Sequence, residues 1–121
     1  MTLPGVHPLT GTEWQLVSIE SAGKTTMLAP EVQRRHTIAL REGGEVLVEL
    51  DCNRGRSTWT AGQARSGAGA ISFGPVTSTR MMCPQPSFGE LLARGLGDAQ
   101  RYTTTAGGRQ LVIEAPQQRL T

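Results

Sequence analysis

The side chains of this chain best suited to chemistry are Cys52, Cys83, His7, His36, Asp51 and Asp98, its full complement of cysteine, histidine and aspartate. Two cysteines in a small domain with a modest core invite a disulfide. It would close a loop of about thirty residues and stabilise by ~3 to ~4.7 kcal/mol on the chain-entropy estimate. The alternative is a pair of buried free thiols acting as small hydrophobes. Redox catalysis lacks its usual apparatus, since no Cys-x-x-Cys is present and neither thiol has an obvious activating neighbour. Neither His7 nor His36 has a partner at a metal-ligand spacing, so exposed or singly hydrogen-bonded histidines and no metal are expected. Hydrolysis needs a nucleophile, a base and an orienting group, and no Gly-x-Ser-x-Gly elbow occurs. Asp51, beside Cys52, reads as a solvated residue on the outer face of a strand. The expectation is therefore no catalytic residue and no cofactor: not an enzyme.

Arg80, Met81 and Met82 precede Cys83. Methionines fill irregular gaps in cores, but they also line apolar pockets at barrel mouths, where small ligands bind. Trp14, Trp59 and Phe73 are the large aromatics that would join them in either role. Arg80 would bind a carboxylate or cap a carbonyl.

The elements that must position these groups are mostly strands. In Val46–Asn53, Val46, Val48, Leu50 and Cys52 recur every second residue with Glu49 and Asp51 between them, the pattern of a half-buried strand. Its inner face ends on Cys52, and Asn53-Arg54-Gly55 turns the chain. Similar alternation predicts strands at Glu13–Ile19, with Trp14 and Leu16 inward, at His36–Leu40, at Ala70–Gly74, near Arg101–Thr104 and at Gln110–Glu114. Ser21–Lys24, Gly43-Gly44 and Ala106-Gly107-Gly108 read as turns. Ala61–Gly69, small and polar, reads as a mobile hairpin loop. One segment looks helical: Ser87-Phe88-Gly89-Glu90 has capping-box spacing, and Phe88, Leu91, Leu92, Leu96 and Ala99 form an apolar stripe. Several hairpins and one late helix predict a mainly β (α+β) fold: a small antiparallel sheet or open β-barrel with the helix packed on it. Residues 1–8 form an extended lead-in, 9–116 a single domain and 117–121 a tail.

At 121 residues the chain has room for one core. A net charge of +2, from twelve basic and ten acidic residues spread along the chain, gives no footprint for nucleic acid. No apolar run reaches the ~18 residues of a membrane span, and the N-terminus has neither the basic start nor the apolar core of a signal peptide. Such a protein is cytoplasmic if Met1 is the native start, or exported if its signal has been trimmed away.

Taken together, the motifs resemble the META domain family, the HslJ-like heat-shock proteins. Leu9-Thr10-Gly11-Thr12-Glu13-Trp14-Gln15-Leu16 is similar to the family's opening Leu-x-Gly-Thr-x-Trp-x-Leu, and Asp51-Cys52-Asn53 to its Gly-Cys-Asn. Thr79-Arg80-Met81-Met82-Cys83-Pro84 is similar to its Thr-x-Met-x-Cys-Pro. The family usually has glycine where Asp51 stands, and an aromatic and a glycine in place of Gly55 and Ser57. The resemblance covers residues 9 to 115 and singles out Asn53, Thr79 and Pro84 beside the cysteines. It implies a domain of the bacterial envelope, periplasmic or lipid-anchored, or a secreted one, linked to heat shock and stress tolerance. Export would favour the disulfide. The expected function is non-enzymatic, with a small apolar ligand or an envelope protein as partner and the domain a monomer. The alternative is a protein-interaction or inhibitor module acting through a surface loop or strand edge.

Overall fold

The computed structural model describes residues 7–121, so most of the expected lead-in, residues 1–6, lies outside the described residues. The chain runs β1 (Thr12–Gln15), β2 (Ser18–Ser21), β3 (Lys24–Met27), a single-turn α1 (Pro30–Gln33), β4 (His36–Leu40) and β5 (Glu45–Leu50). It continues with β6 (Asn53–Ala61), β7 (Ala68–Phe73), β8 (Thr77–Ser78), α2 (Gly89–Gly97), β9 (Arg101–Thr105), β10 (Gln110–Glu114) and β11 (Gln118–Leu120). All pairings are antiparallel, in the order β1-β4-β5-β6-β7-β9-β10-β11-β2-β3, with β8 on β6. The sheet curls into an open half-barrel. α2 touches β5, β7, β10 and β11, and so lies across the curl.

The alternation places Ile38, Leu40, Val46, Val48 and Leu50 in the core. Gly43 and Gly44 both take positive φ between β4 and β5, as a glycine hairpin should. The stretch read as one strand, Glu13–Ile19, is two. Leu16 N–H still donates to His36 O of β4, whereas Val17 N–H donates to Thr121 O beyond β11. The chain changes partners at Leu16-Val17, and the sheet bends there. Leu16 is buried and Trp14 half-buried.

Other boundaries move for local reasons. The turn after β5 is Asp51-Cys52, and Asn53 already pairs with Leu50 at the start of β6. The loop between β6 and β7 is shorter than Ala61–Gly69, because both ends extend the ladder. α2 begins at Gly89 with Phe88 as its N-cap, and Ser87 makes no cap bond. A Cβ on Gly89 would lie 2.7 Å from Leu50 O, so the helix seats its glycine directly on β5. Gly95 does the same against Leu120, 2.8 Å from an added Cβ. Residues 117–121 are not a tail: β11 pairs with β10 and β2, and Gln118 and Leu120 are buried.

Candidate functional site

Two of the three family-like motifs, Asp51-Cys52-Asn53 and the segment Thr79–Pro84, meet at one end of the β5–β6 hairpin. Cys52 and Cys83 are disulfide-bonded, with Cα atoms 5.6 Å apart. The Asn53 amide reads the Met81 backbone as a strand neighbour would: Nδ2 donates to Met81 O at 2.9 Å, and Oδ1 accepts from Met81 N–H at 2.6 Å. Thr79 Oγ1 donates to Asn53 Oδ1 at 3.0 Å and accepts from Arg54 N–H at 3.1 Å. The segment from Thr79 to Cys83 is thus strapped across the hairpin by the side chains of Asn53 and Thr79 and by one covalent bond. With the backbone doing the binding, the side chains turn outward. Met81 and Met82 are 61% and 98% exposed, and Arg80 and Pro84 are exposed as well, so none is core.

Asp51 carries φ +64, the left-handed conformation for which glycine is the usual residue and which a short Asp tolerates. Its carboxylate is not solvated. The side chain is 3% exposed and accepts from Arg35 Nε at 2.7 Å, while Asp51 N–H donates to Arg35 O. Burial raises its pKa, but hydrogen bonding to Arg35 and Ser87 and the charge of Arg35 together outweigh it and hold the pKa below the ordinary value of 3.8.

Both histidines are more occupied than expected. His36 is fully buried; its Nδ1 lies 2.8 Å from Val32 O and its Nε2 accepts Phe88 N–H at 3.0 Å. A carbonyl at one nitrogen and an N–H at the other fit the tautomer with the proton on Nδ1. It joins α1, β4 and the start of α2. His7, placed in the lead-in by sequence, packs edge-on against Trp59 and Tyr102. Its Nδ1 accepts Leu9 N–H, and its Nε2 lies 2.8 Å from Gly62 O and 3.1 Å from the Tyr102 hydroxyl.

A cavity of about 150 Å³ lies at the Leu16-Val17 bend. Leu92 and Leu96 of α2, Ile38 of β4, Leu111 and Ile113 of β10, and Leu120 of β11 supply its apolar wall. Trp14, Gln15, Arg109 and Gln110 stand among its polar or half-exposed lining residues. Of the aromatics and strap residues expected to form a pocket, Trp14 alone lines this one. Trp59 and Phe73 are core residues, and Trp59 Nε1 donates to Arg41 O at 3.0 Å. Leu92 and Leu96 were legible as part of an apolar helix stripe. That their packing leaves space follows from the bend between β1 and β2, which hydropathy does not encode.

Among the described residues, no group of three or more His, Cys, Asp or Glu side chains converges to hold a metal ion. No helix among them is long and apolar enough to cross a membrane. In comparisons with known proteins, the family model of the META domain matches residues 7–121. No curated protein matches, and no solved structure matches.

Proposed function

From the premise that this chain belongs to the META domain family, we propose that it is a non-enzymatic binding domain whose cavity at the β1–β2 bend takes a small apolar group. The observation that carries the reading is the cavity itself: space of about 150 Å³ behind apolar side chains of one helix and three strands. A cavity of that size with leucine and isoleucine walls is enough for a benzene-sized molecule. The non-enzymatic part is supported by how the reactive side chains are committed. Both cysteines are in the disulfide, and each histidine has both ring nitrogens facing partners in the fold. The disulfide also supports an extracytoplasmic site of action, at the bacterial envelope or beyond it. A role in stress tolerance rests on the family resemblance.

Thermal unfolding of the oxidised protein with benzyl alcohol tests the reading. Binding raises the melting temperature as ligand concentration passes the dissociation constant. A Leu92→Phe variant, which fills the space, abolishes that rise while keeping the parent's amide spectrum. An unmoved melting temperature in the parent at near-saturating benzyl alcohol refutes the reading. A protein-interaction module is the second reading, favoured by the exposed Met81 and Met82 on the strap. Its mark is a partner captured by the parent and lost in a Met81→Ser/Met82→Ser variant.

A further inference from the structure

β1 and β10 supply residues to the same cavity without pairing with each other. The hydrogen bonds around them fix which peptide groups face it, because residues of an antiparallel strand bond alternately to one side and the other. Leu16 N–H donates to His36 O, so Leu16 and Trp14 are turned to β4, and Gln15 between them is turned away. Val17, two residues on, points the same way as Gln15, and its N–H donates to Thr121 O. In β10, Glu114 O accepts from Gln100 on the β9 side, whereas Ala115 exchanges bonds with Gln118 on the β11 side. Ile113 and Leu111 therefore face β11 as Ala115 does. β11 covers Ile113 with Leu120, but none of its three residues is opposite Leu111. The peptide groups of Gln15 and Leu111 are thus turned toward one space, and both residues line it.

We propose that the cavity is a slot for an extended peptide segment of a partner protein, which carries on the line of β11 antiparallel to both β1 and β10. The assignment rests on the binding function proposed above and makes the apolar group a side chain of that segment. The registers set its placement. Leu120 pairs with Ile113, and Thr121 exchanges both main-chain bonds with Ser18, so the next two places in the line fall opposite Leu111 and then Gln15. Side chains alternate along a strand, so the first of these residues points inward as buried Leu120 does, among Leu16, Leu92, Leu96 and Leu111. It must be apolar, and a space of about 150 Å³ takes one such side chain. The second residue points outward with Gln15 and Gln110, and a polar side chain suits it. Every strand of the described residues already belongs to the sheet, so a second copy would have to unpair one of its own to fill the slot. A different polypeptide is the cheaper occupant.

The test uses the capped peptide acetyl-Leu-Thr-Leu-amide, with benzyl alcohol as a probe that fills the space but has no peptide backbone. Hydrogen exchange is followed on the oxidised protein. In the free protein the Gln15 and Leu111 amides should exchange fast while those of Trp14 and Val112, turned to β4 and β9, are protected. Saturating peptide should slow both amides about tenfold or more, and benzyl alcohol should slow neither. Methylating the threonine nitrogen, which removes the donor to Gln15 O, should weaken the peptide about tenfold. Aspartate in place of the first leucine should abolish binding. A peptide that binds without protecting either amide, or that tolerates the methyl group, overturns the strand assignment while leaving benzyl alcohol a ligand of the cavity. Protection of both amides in the free protein that disappears on dilution assigns the slot to a second copy and overturns the partner. Failure of benzyl alcohol and peptide alike removes the binding function as well.

Discussion

Replacing both cysteines by serine, Cys52→Ser/Cys83→Ser, separates what the disulfide does to the open chain from what it does to the fold. The bridged residues are 31 apart in sequence. The chain-entropy relation gives ~12 cal/mol/K for such a loop, or about 3.7 kcal/mol at 25 °C. Unfolding entropy of ~2.1 cal/mol/K per residue over 121 residues is about 0.25 kcal/mol/K. The variant should therefore melt about 15 °C below the oxidised parent. The folded strap should survive, because Asn53 still holds both peptide groups of Met81, and the serine at 83 replaces the sulfur that accepts Cys52 N–H. Calorimetry measures the first quantity and hydrogen exchange at the Met81 amide the second. A fall of less than about 4 °C would show that the bond does not act through the unfolded chain. Loss of Met81 protection at temperatures where the rest of the sheet stays protected would show that it acts by holding the strap.

Asn53→Ala should do the reverse, costing about 1–2 kcal/mol and exposing the Met81 amide to exchange while β4 and β5 remain protected. Gly89→Ala should cost about 1–3 kcal/mol by denaturant titration, because its new Cβ meets Leu50 O at 2.7 Å and α2 must lift from β5. The pKa of Asp51 is lower folded than unfolded, so its contribution is fully present above the unfolded value of 3.8 and is lost as pH falls through the still lower folded value. Asp51→Asn keeps a residue tolerant of φ +64 but removes the charge. Its stability deficit against the parent, measured by urea titration, should be plain at pH 7 and shrink below pH 3.8; a deficit constant across that range would refute the assignment.

Much of the fold was legible because it rests on alternation. Val46, Val48 and Leu50 announced their strand, and Gly43-Gly44 its hairpin. The cysteine pair was also legible, as one of two open readings. What misled was the assumption that hydropathy decides placement where main-chain bonding does. Met81 and Met82 are apolar, yet Asn53 and the disulfide grip their backbone and turn the side chains out. Asp51 looked solvated by its place in the alternation, but the turn takes it out of the strand and against Arg35. Ser87 had the spacing of a cap, but His36 claims the Phe88 amide and the helix starts one residue later. β11 is three residues long and follows Pro116, too brief for periodicity to show. Arg109 carried no signal of its place beside the cavity, since nothing local says that a bend in a distant strand opens there.

The pairing of β2 with β11 joins Ile19 to Leu120, across almost the whole described chain. A polypeptide delivered end-on, from a ribosome or through a translocation pore, cannot complete this ladder until its final strand has emerged. Until then Ile19 lacks its neighbour on the β11 side and Gly95 has no Leu120 to rest on. Contacts so distant in sequence slow the search for the native state and leave apolar strands uncovered during it. The unfinished molecule is the one most exposed to aggregation, and a holdase would find its binding surface there.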